Sequence, residues 1–326
     1  MVGGGSAFRT VFLIGAPRSG TTWLQKLLGS HPRVATPQET EIFARYVAPL
    51  ASRWEQQLRE APQMRYKGLP AIFTEDEFVD AIRRFIESAF SKVIQKKPGA
   101  DVLLEKTPMH SLFVPLIVKY VPDARFIHLI RDGRAVADSL TRVSASWGSN
   151  WAPATIEDAA RLWKEFTVSA RSAASITDRY CEVRYEDLRK EGPSCLRRLF
   201  EYCSVDASVD DCQTIFEQSN GPGKATTSDR SQGIIRSGEI LRRYGTDIEE
   251  PSGFVGSGGP SRYARWKPRD RWVFNKIAGG LLTELGYERN DEWKDIGRVR
   301  ETYFGSVDGL HRARSRLSGL LFRRYP

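Results

Sequence analysis

The segment TVFLIGAPRSGTTWLQKLLGSHP, residues 10–32, leaves few folds open. A short apolar run, Val11 to Ile14, leads into Gly15. Gly20 follows after four residues, then Thr21, Thr22 and a helical periodicity that stops near Gly29 and Pro32. Strand, glycine-bounded turn and helix in that order form the opening unit of a parallel sheet. The turn is a ready cradle for an anion, because its backbone N–H groups converge at the start of a helix. The phosphate-loop template G-x-x-x-x-G-K-[ST] is met at both glycines and at the final hydroxyl, but Thr21 stands at the lysine position. Arg18 lies inside the loop and offers a bidentate cation. The missing lysine argues against a triphosphate. The plain alternative is a glycine turn before a structural helix, which leaves the coincidence of strand, two glycines, arginine and paired threonines unexplained.

The same alternation continues along the chain. Strands are expected at 101–106, 124–131 and 180–188, and helices at 74–94, 111–122, 132–143, 155–177, 193–203 and 270–285. Thr74 and Glu77 fit a capping box, and Pro115 is expected to kink its helix. Strand–helix alternation predicts an α/β fold: a P-loop-like parallel sheet flanked by helices on both faces, with ligands at the carboxyl ends of the strands. Residues 219–261 lose periodicity and gain glycines. They are expected to be a long covering loop over the site, lid-like, within a domain spanning 1–290, or else a plain flexible insertion.

With 326 residues, 40% of them hydrophobic, the chain is long enough for a large core. The net charge of +9 favours anionic partners without choosing among nucleotide, glycan and membrane surface. No nucleic-acid motif or basic stripe with interleaved aromatics appears. The four cysteines form no C-x-x-C pair, which disfavours a zinc site, and they are read as reduced thiols of a cytoplasmic protein. Val11 to Ile14 is too short for a signal-peptide core or a membrane span.

A second stretch, FIHLIRDGRAVADSL at 126–140, places Arg131 at a strand end and Ser139 about two turns into a helix. Together they could clamp a terminal phosphate. Two other readings stand beside that one. The stretch could be an ordinary connection with Asp132 as N-cap and a solvated arginine, or a Walker-B-like strand with Asp132 on Mg²⁺. The glycine and arginine that follow, and the absent loop lysine, weaken the last.

APRSGTTWL and RDGRAVADSL, about 110 residues apart, together resemble the sulfotransferases that use 3′-phosphoadenosine-5′-phosphosulfate (PAPS). The resemblance covers the first 190 residues well and 260–290 weakly, and its motifs are nearest to the tyrosylprotein and bacterial-type members. It implies that Arg18, Ser19, Gly20, Thr21 and Thr22 hold the 5′-phosphosulfate, that Arg131 and Ser139 hold the 3′-phosphate, and that the product is 3′,5′-bisphosphoadenosine (PAP), without a metal. TPQETEIF (36–43) is similar to the family segment whose glutamate takes the acceptor proton, a position matched by Glu39. LLEKTPMH (103–110) matches the stretch whose lysine contacts the sulfonate and leaving oxygen, here Lys106. VRYEDL carries Tyr185, near a cofactor-contacting tyrosine of the relatives. SRYARW places Arg265 near the 3′-phosphate, and Ser228 loosely matches a further serine on the sulfate side.

The chain departs from the tyrosylprotein pattern at Gln38, where those enzymes carry a second glutamate, and at Glu41, where they carry an arginine used on acidic peptides. The acceptor expected is therefore a hydroxyl on a lipid, glycolipid, carbohydrate or other small molecule. His110 is a rival base, four residues after Lys106, and Glu41 a third candidate. The tail 291–326 is basic, with leucines spaced for a narrow apolar face, and suggests contact with an anionic membrane surface. A small-molecule kinase using ATP and Mg²⁺, and a non-catalytic module on acidic glycans, are the competing functions.

Overall fold

The computed structural model describes residues 8–60, 67–220 and 263–289. Residues 219 and 220 of the expected covering loop end a helix instead, and the rest of that loop with Ser228, like the basic tail, lies outside the described residues. The chain divides into two compact units, residues 1–131 with 165–258 and residues 132–164 with 259–326.

The first unit carries β1 (Arg9–Ile14), β2 (Val34–Ala35), β3 (Val102–Glu105), β4 (Arg125–Ile130) and β5 (Tyr180–Arg184). All pairs are parallel, in the order β2-β3-β1-β4-β5. A strand sends successive side chains to opposite faces, and β1 shows why its run of apolar residues is continuous rather than alternating. Phe12 and Ile14 pack with Phe43, with Phe78, Ile82 and Phe90 of α3 (Glu75–Ile94), and with Val114 and Ile117 of α4 (Val114–Tyr120). Val11 and Leu13 pack on the other face with Leu24, Leu27 and Leu28 of α1 (Thr21–Gly29) and with Leu196, Leu199 and Phe200 of α8 (Tyr185–Tyr202). Both faces are covered, as a parallel sheet requires. Since β1 lies between β3 and β4, the loops after these three strands open at one place, where such sheets bind ligands.

Several expected boundaries move, each for a local reason. Pro115 does not kink a helix. It sits in the first turn of α4, where its missing N–H costs nothing, after a 3₁₀ turn at Pro108–Leu112. The strand expected to reach residue 188 ends at Arg184. Tyr185 opens α8, whose first turn carries Glu186 and Asp187, the acidic residues a helix N-terminus favours. That helix starts well before residue 193 and is kinked at Gly192, φ +24°, before Pro193. The helix expected at 155–177 is two, α6 (Ile156–Arg171) and α7 (Ala173–Ile176). A π-helical turn at Phe43–Val47 running into α2 (Ala48–Arg59), and α9 (Val209–Asn220), were not foreseen. The capping box holds: the Thr74 N–H donates to Glu77 at 2.8 Å and the Glu77 N–H donates back to the Thr74 hydroxyl.

The second unit holds α5 (Gly133–Ser144), capped by the Asp132 carboxylate, and α10 (Pro268–Glu284). Gly133 lies flat against the Trp163 ring, which packs on Phe274 at 6.1 Å between centroids. Arg134 is buried, chelated by Asp132, bonded to Glu288 at 2.7 Å and stacked over Tyr263. All four cysteines are free thiols.

Candidate active site

The loop after β1 is shaped by positions that only glycine fills cheaply. Gly15 has φ +153°, and a Cβ there would lie 2.5 Å from the Leu129 carbonyl oxygen. Gly20 has φ +99°, and its Cβ would meet the Tyr185 ring at 2.6 Å. Between them Arg18 is left-handed at φ +71°, a strained state for a residue with a side chain. Ser111, just after His110, accepts the Gly15 N–H at 2.9 Å and so ties the loop to the segment following β3. The loop delivers the chain into α1 with no side-chain cap and no acidic residue in the first turn. The uncapped N–H groups and the positive end of the helix dipole thus face the loop. The Ser19 hydroxyl is buried with no hydrogen-bond partner among the described residues. A buried, unpaired hydroxyl is costly unless something polar meets it, and an anion in the loop is such a partner.

Arg131, at the end of β4, joins this group. Its guanidinium donates to the Arg18 carbonyl oxygen at 3.2 Å and lies 4.3 Å over the Tyr185 ring. Tyr185 in turn meets Trp23 edge-on at 5.7 Å, and Trp23 packs on Phe216 at 5.8 Å beneath Arg189. The Trp23 ring nitrogen is buried without a partner among the described residues. This aromatic cluster was not singled out from sequence, although Trp23 follows the paired threonines directly.

A second group sits after β3. Lys106, almost fully buried, contacts the Glu39 carboxylate, whose side chain is 42% exposed. His110 is fully buried. Its Nε2 accepts the Phe43 N–H at 3.3 Å, so its Nδ1 carries the proton and donates to Glu105 at 2.6 Å. Glu105, missed from sequence, is fully buried at the end of β3 and takes further hydrogen bonds from Thr40 and Thr107. Burial alone would raise its carboxyl, but the adjacent His110 and the hydroxyl donors outweigh burial and hold it below the ordinary carboxylate value. Glu41 is left-handed at φ +49° and pairs with Arg45 on the surface.

The first unit therefore gathers Arg18, Ser19, Gly20, Thr21, Thr22, Arg131 and Tyr185 around one loop, with Glu39, Lys106 and His110 on the neighbouring segment. In the second unit Ser139 is buried on α5, and Arg265 is exposed on the 3₁₀ turn Tyr263–Arg265.

Residues 10–211 match the model of the sulfotransferase family. The chain is similar to the protein-tyrosine sulfotransferase of Drosophila melanogaster, 30% identical over 130 residues, which cover 40% of this chain and 24% of that protein. It is 25% identical over 197 residues to protein-tyrosine sulfotransferase 1 of Danio rerio, covering 60% of this chain and 53% of the relative. The chain thus spans only part of the length of these relatives. A longer match, 22% identical over 311 residues, joins 93% of the chain to 73% of protein-tyrosine sulfotransferase A of Caenorhabditis elegans. In fold it is similar to mouse sulfotransferase SULT7A1 complexed with PAP, with a TM-score of 0.50 and 13% identity over 90% of this chain and 92% of that one. The sulfotransferase domain of the Synechococcus PCC 7002 olefin synthase gives a TM-score of 0.50 and 16% identity, covering 85% and 96%. With the match running through both groups of residues and over more than half its length, the chain belongs to the sulfotransferase family.

Proposed function

We propose that the protein moves a sulfonate from PAPS to a hydroxyl acceptor by in-line displacement, with Glu39 as base. The observation that carries this is the uncapped, glycine-shaped loop with the orphaned Ser19 hydroxyl, set beside a Lys106–Glu39 pair. PAPS would supply the sulfonate and depart as PAP. The loop amides, the Ser19 hydroxyl and Arg18 would hold the phosphosulfate end, and Thr21 and Thr22 would add hydroxyls at the helix start. Fixed donors of this kind stabilise charge that develops in transfer. They do so where the lysine of a triphosphate loop is replaced by threonine, so we assign no metal. Arg131 on Tyr185 suits a 3′-phosphate. The roles of Ser139, Arg265 and Ser228 rest on sequence resemblance.

Glu39 suits the base because its carboxylate reaches solvent while remaining in contact with Lys106. His110 suits it less, because both ring nitrogens are engaged and no part of the ring is exposed. Once Glu39 has taken the acceptor proton, Lys106 loses an ionised partner and its ammonium is released toward the sulfonate and leaving oxygen.

For the acceptor we propose a neutral, partly apolar alcohol on a lipid, glycolipid, carbohydrate or other small molecule. Met109, Tyr46, Leu50 and Phe85 are exposed, and Met109 and Tyr46 lie within a few residues of Lys106 and Glu41. The exposed Glu41 carboxylate, two residues from the base, disfavours an acidic peptide. A protein tyrosine is the second reading, favoured by the similarity to protein-tyrosine sulfotransferases.

The test is PAP release from PAPS in the presence of neutral alcohols or of tyrosine peptides, with and without chelator. The expected outcome is chelator-insensitive transfer to a neutral alcohol. In Glu39→Gln, kcat should fall by about 10²–10⁴-fold while PAP affinity stays. Full activity in that variant would remove Glu39 from the base role.

A further inference from the structure

We infer that Glu105 is the positioning residue for the base, its buried carboxylate setting the direction of the hydrogen bonds that hold residues 40–43, on the C-terminal side of Glu39. The inference rests on the transfer chemistry proposed above.

Residues 40–43 make four hydrogen bonds to Glu105 and the segment that follows it, and all four lead to the Glu105 carboxylate. The Thr40 N–H and hydroxyl donate directly to its Oε1, at 3.2 and 2.7 Å. The Glu41 N–H donates to the Thr107 hydroxyl at 3.3 Å, and that hydroxyl spends its own proton on Oε1 at 2.8 Å. The Phe43 N–H donates to His110 Nε2 at 3.3 Å, and the opposite ring nitrogen donates to Oε2 at 2.6 Å. An ionised carboxylate only accepts. That property orients the Thr107 hydroxyl outward as an acceptor for Glu41, and it puts the imidazole proton on Nδ1, leaving Nε2 to accept from Phe43. The adjacent rung is Lys106 on Glu39. Glu105 and Lys106 therefore grip Thr40 and Glu39 as a pair, one through the backbone and a hydroxyl, the other through the reacting carboxylate.

Glutamine at position 105 keeps the shape but not the polarity. Its amide N–H would face the Nδ1–H of His110 or, turned over, the Thr40 N–H. In the first case the His110 bond is lost, or the imidazole changes tautomer and turns Nε2–H against the Phe43 N–H; in the second the Thr40 N–H is left facing a donor. The backbone around Glu39 is then free to shift, and misplacement of a reacting group by about 1 Å costs on the order of a hundredfold in rate. No group that would touch the cofactor loop changes.

The experiment measures kcat, KM for PAPS, PAP affinity by calorimetry and thermal midpoint for the wild type, Glu105→Gln, Thr40→Val and Thr40→Ser. In Glu105→Gln and Thr40→Val, kcat should fall about tenfold to a hundredfold with PAP affinity unchanged, and Thr40→Ser should restore it. Should Glu105→Gln fail to fold, Thr40→Val with its serine rescue carries the test, because Thr40 is half-exposed and outside the core. Wild-type kcat in Thr40→Val and Glu105→Gln, in an assay where the wild type transfers sulfonate, overturns the inference alone. A fall in kcat matched by an equal loss of PAP affinity and thermal midpoint also overturns it, since that is the mark of a merely structural contact. A wild type that neither transfers sulfonate nor binds PAP removes the transfer chemistry, and the inference with it.

Discussion

At the scale of single residues, strain and burial concentrate where the chemistry is proposed. Two of the non-glycine residues with left-handed backbone, Arg18 and Glu41, sit in the loop after β1 and beside Glu39. Such conformations persist when the surroundings over-determine them. Here the Arg131 bond to the Arg18 carbonyl and the Thr107 bond to the Glu41 N–H do so. Away from the site, His128 on β4 is fully buried, with Nδ1 on the Tyr180 hydroxyl at 2.7 Å. Desolvation, with the Arg171 charge adding to it, pushes its pKa down to about 3. The sign follows from linkage. Near pH 7 the imidazole is neutral in both folded and unfolded chains. Below about pH 6.5 the unfolded chain binds a proton that the folded one refuses, so stability falls by up to about 1.4 kcal/mol per pH unit. His31, also lowered by burial, acts in the same direction. Denaturant unfolding between about pH 6.5 and about pH 4.5 should show this slope, and His128→Phe should flatten it. An unchanged slope would mean that the buried imidazole does not control acid stability. Residue reading from sequence singled out Arg18, Glu39, Lys106 and Arg131 as candidates because they sit in or beside contiguous motifs. It could not find Glu105, whose meaning lies in Thr40, 65 residues away. A glutamate in an apolar strand is the only local signal, and it does not name its partner.

At the scale of elements, the legible ones were those with a strong period and a marked end. The helix from 74 carries its capping box in the sequence, and β1, with β3 and β4 apart from Glu105 and His128, is buried and largely apolar on both faces because both are covered. The missed elements lacked such marks. The π-turn at Phe43–Val47 breaks the helical period in front of α2, and α8 begins directly from β5 with no turn residue between them. The connection from α1 to β2 is held by a tertiary device. The Lys97 ammonium donates to the carbonyls of Gly29, His31 and Val34 at 2.8, 2.7 and 2.8 Å, matching its three protons to three acceptors. Lys97→Met should cost about 2–3 kcal/mol in urea unfolding, with PAP affinity of the folded protein unchanged. A loss below about 0.5 kcal/mol would mean that water replaces the ammonium at little cost.

At the scale of the molecule, the parallel α/β class followed from strand–helix alternation alone, and the expectation of an anionic ligand from the glycine loop and a net charge of +9. The division into two compact units did not, because the second is assembled from segments about a hundred residues apart that share no motif. What the whole chain is proposed to recognise is a nucleotide with separated single phosphates rather than a triphosphate. Calorimetry of PAP in chelator, beside ATP with Mg²⁺, tests that claim most directly. Metal-independent PAP binding that is much tighter than ATP–Mg²⁺ binding is the predicted result. ATP–Mg²⁺ binding more tightly, or PAP binding only with metal, would contradict it and would withdraw the roles given to Arg131 and Glu39.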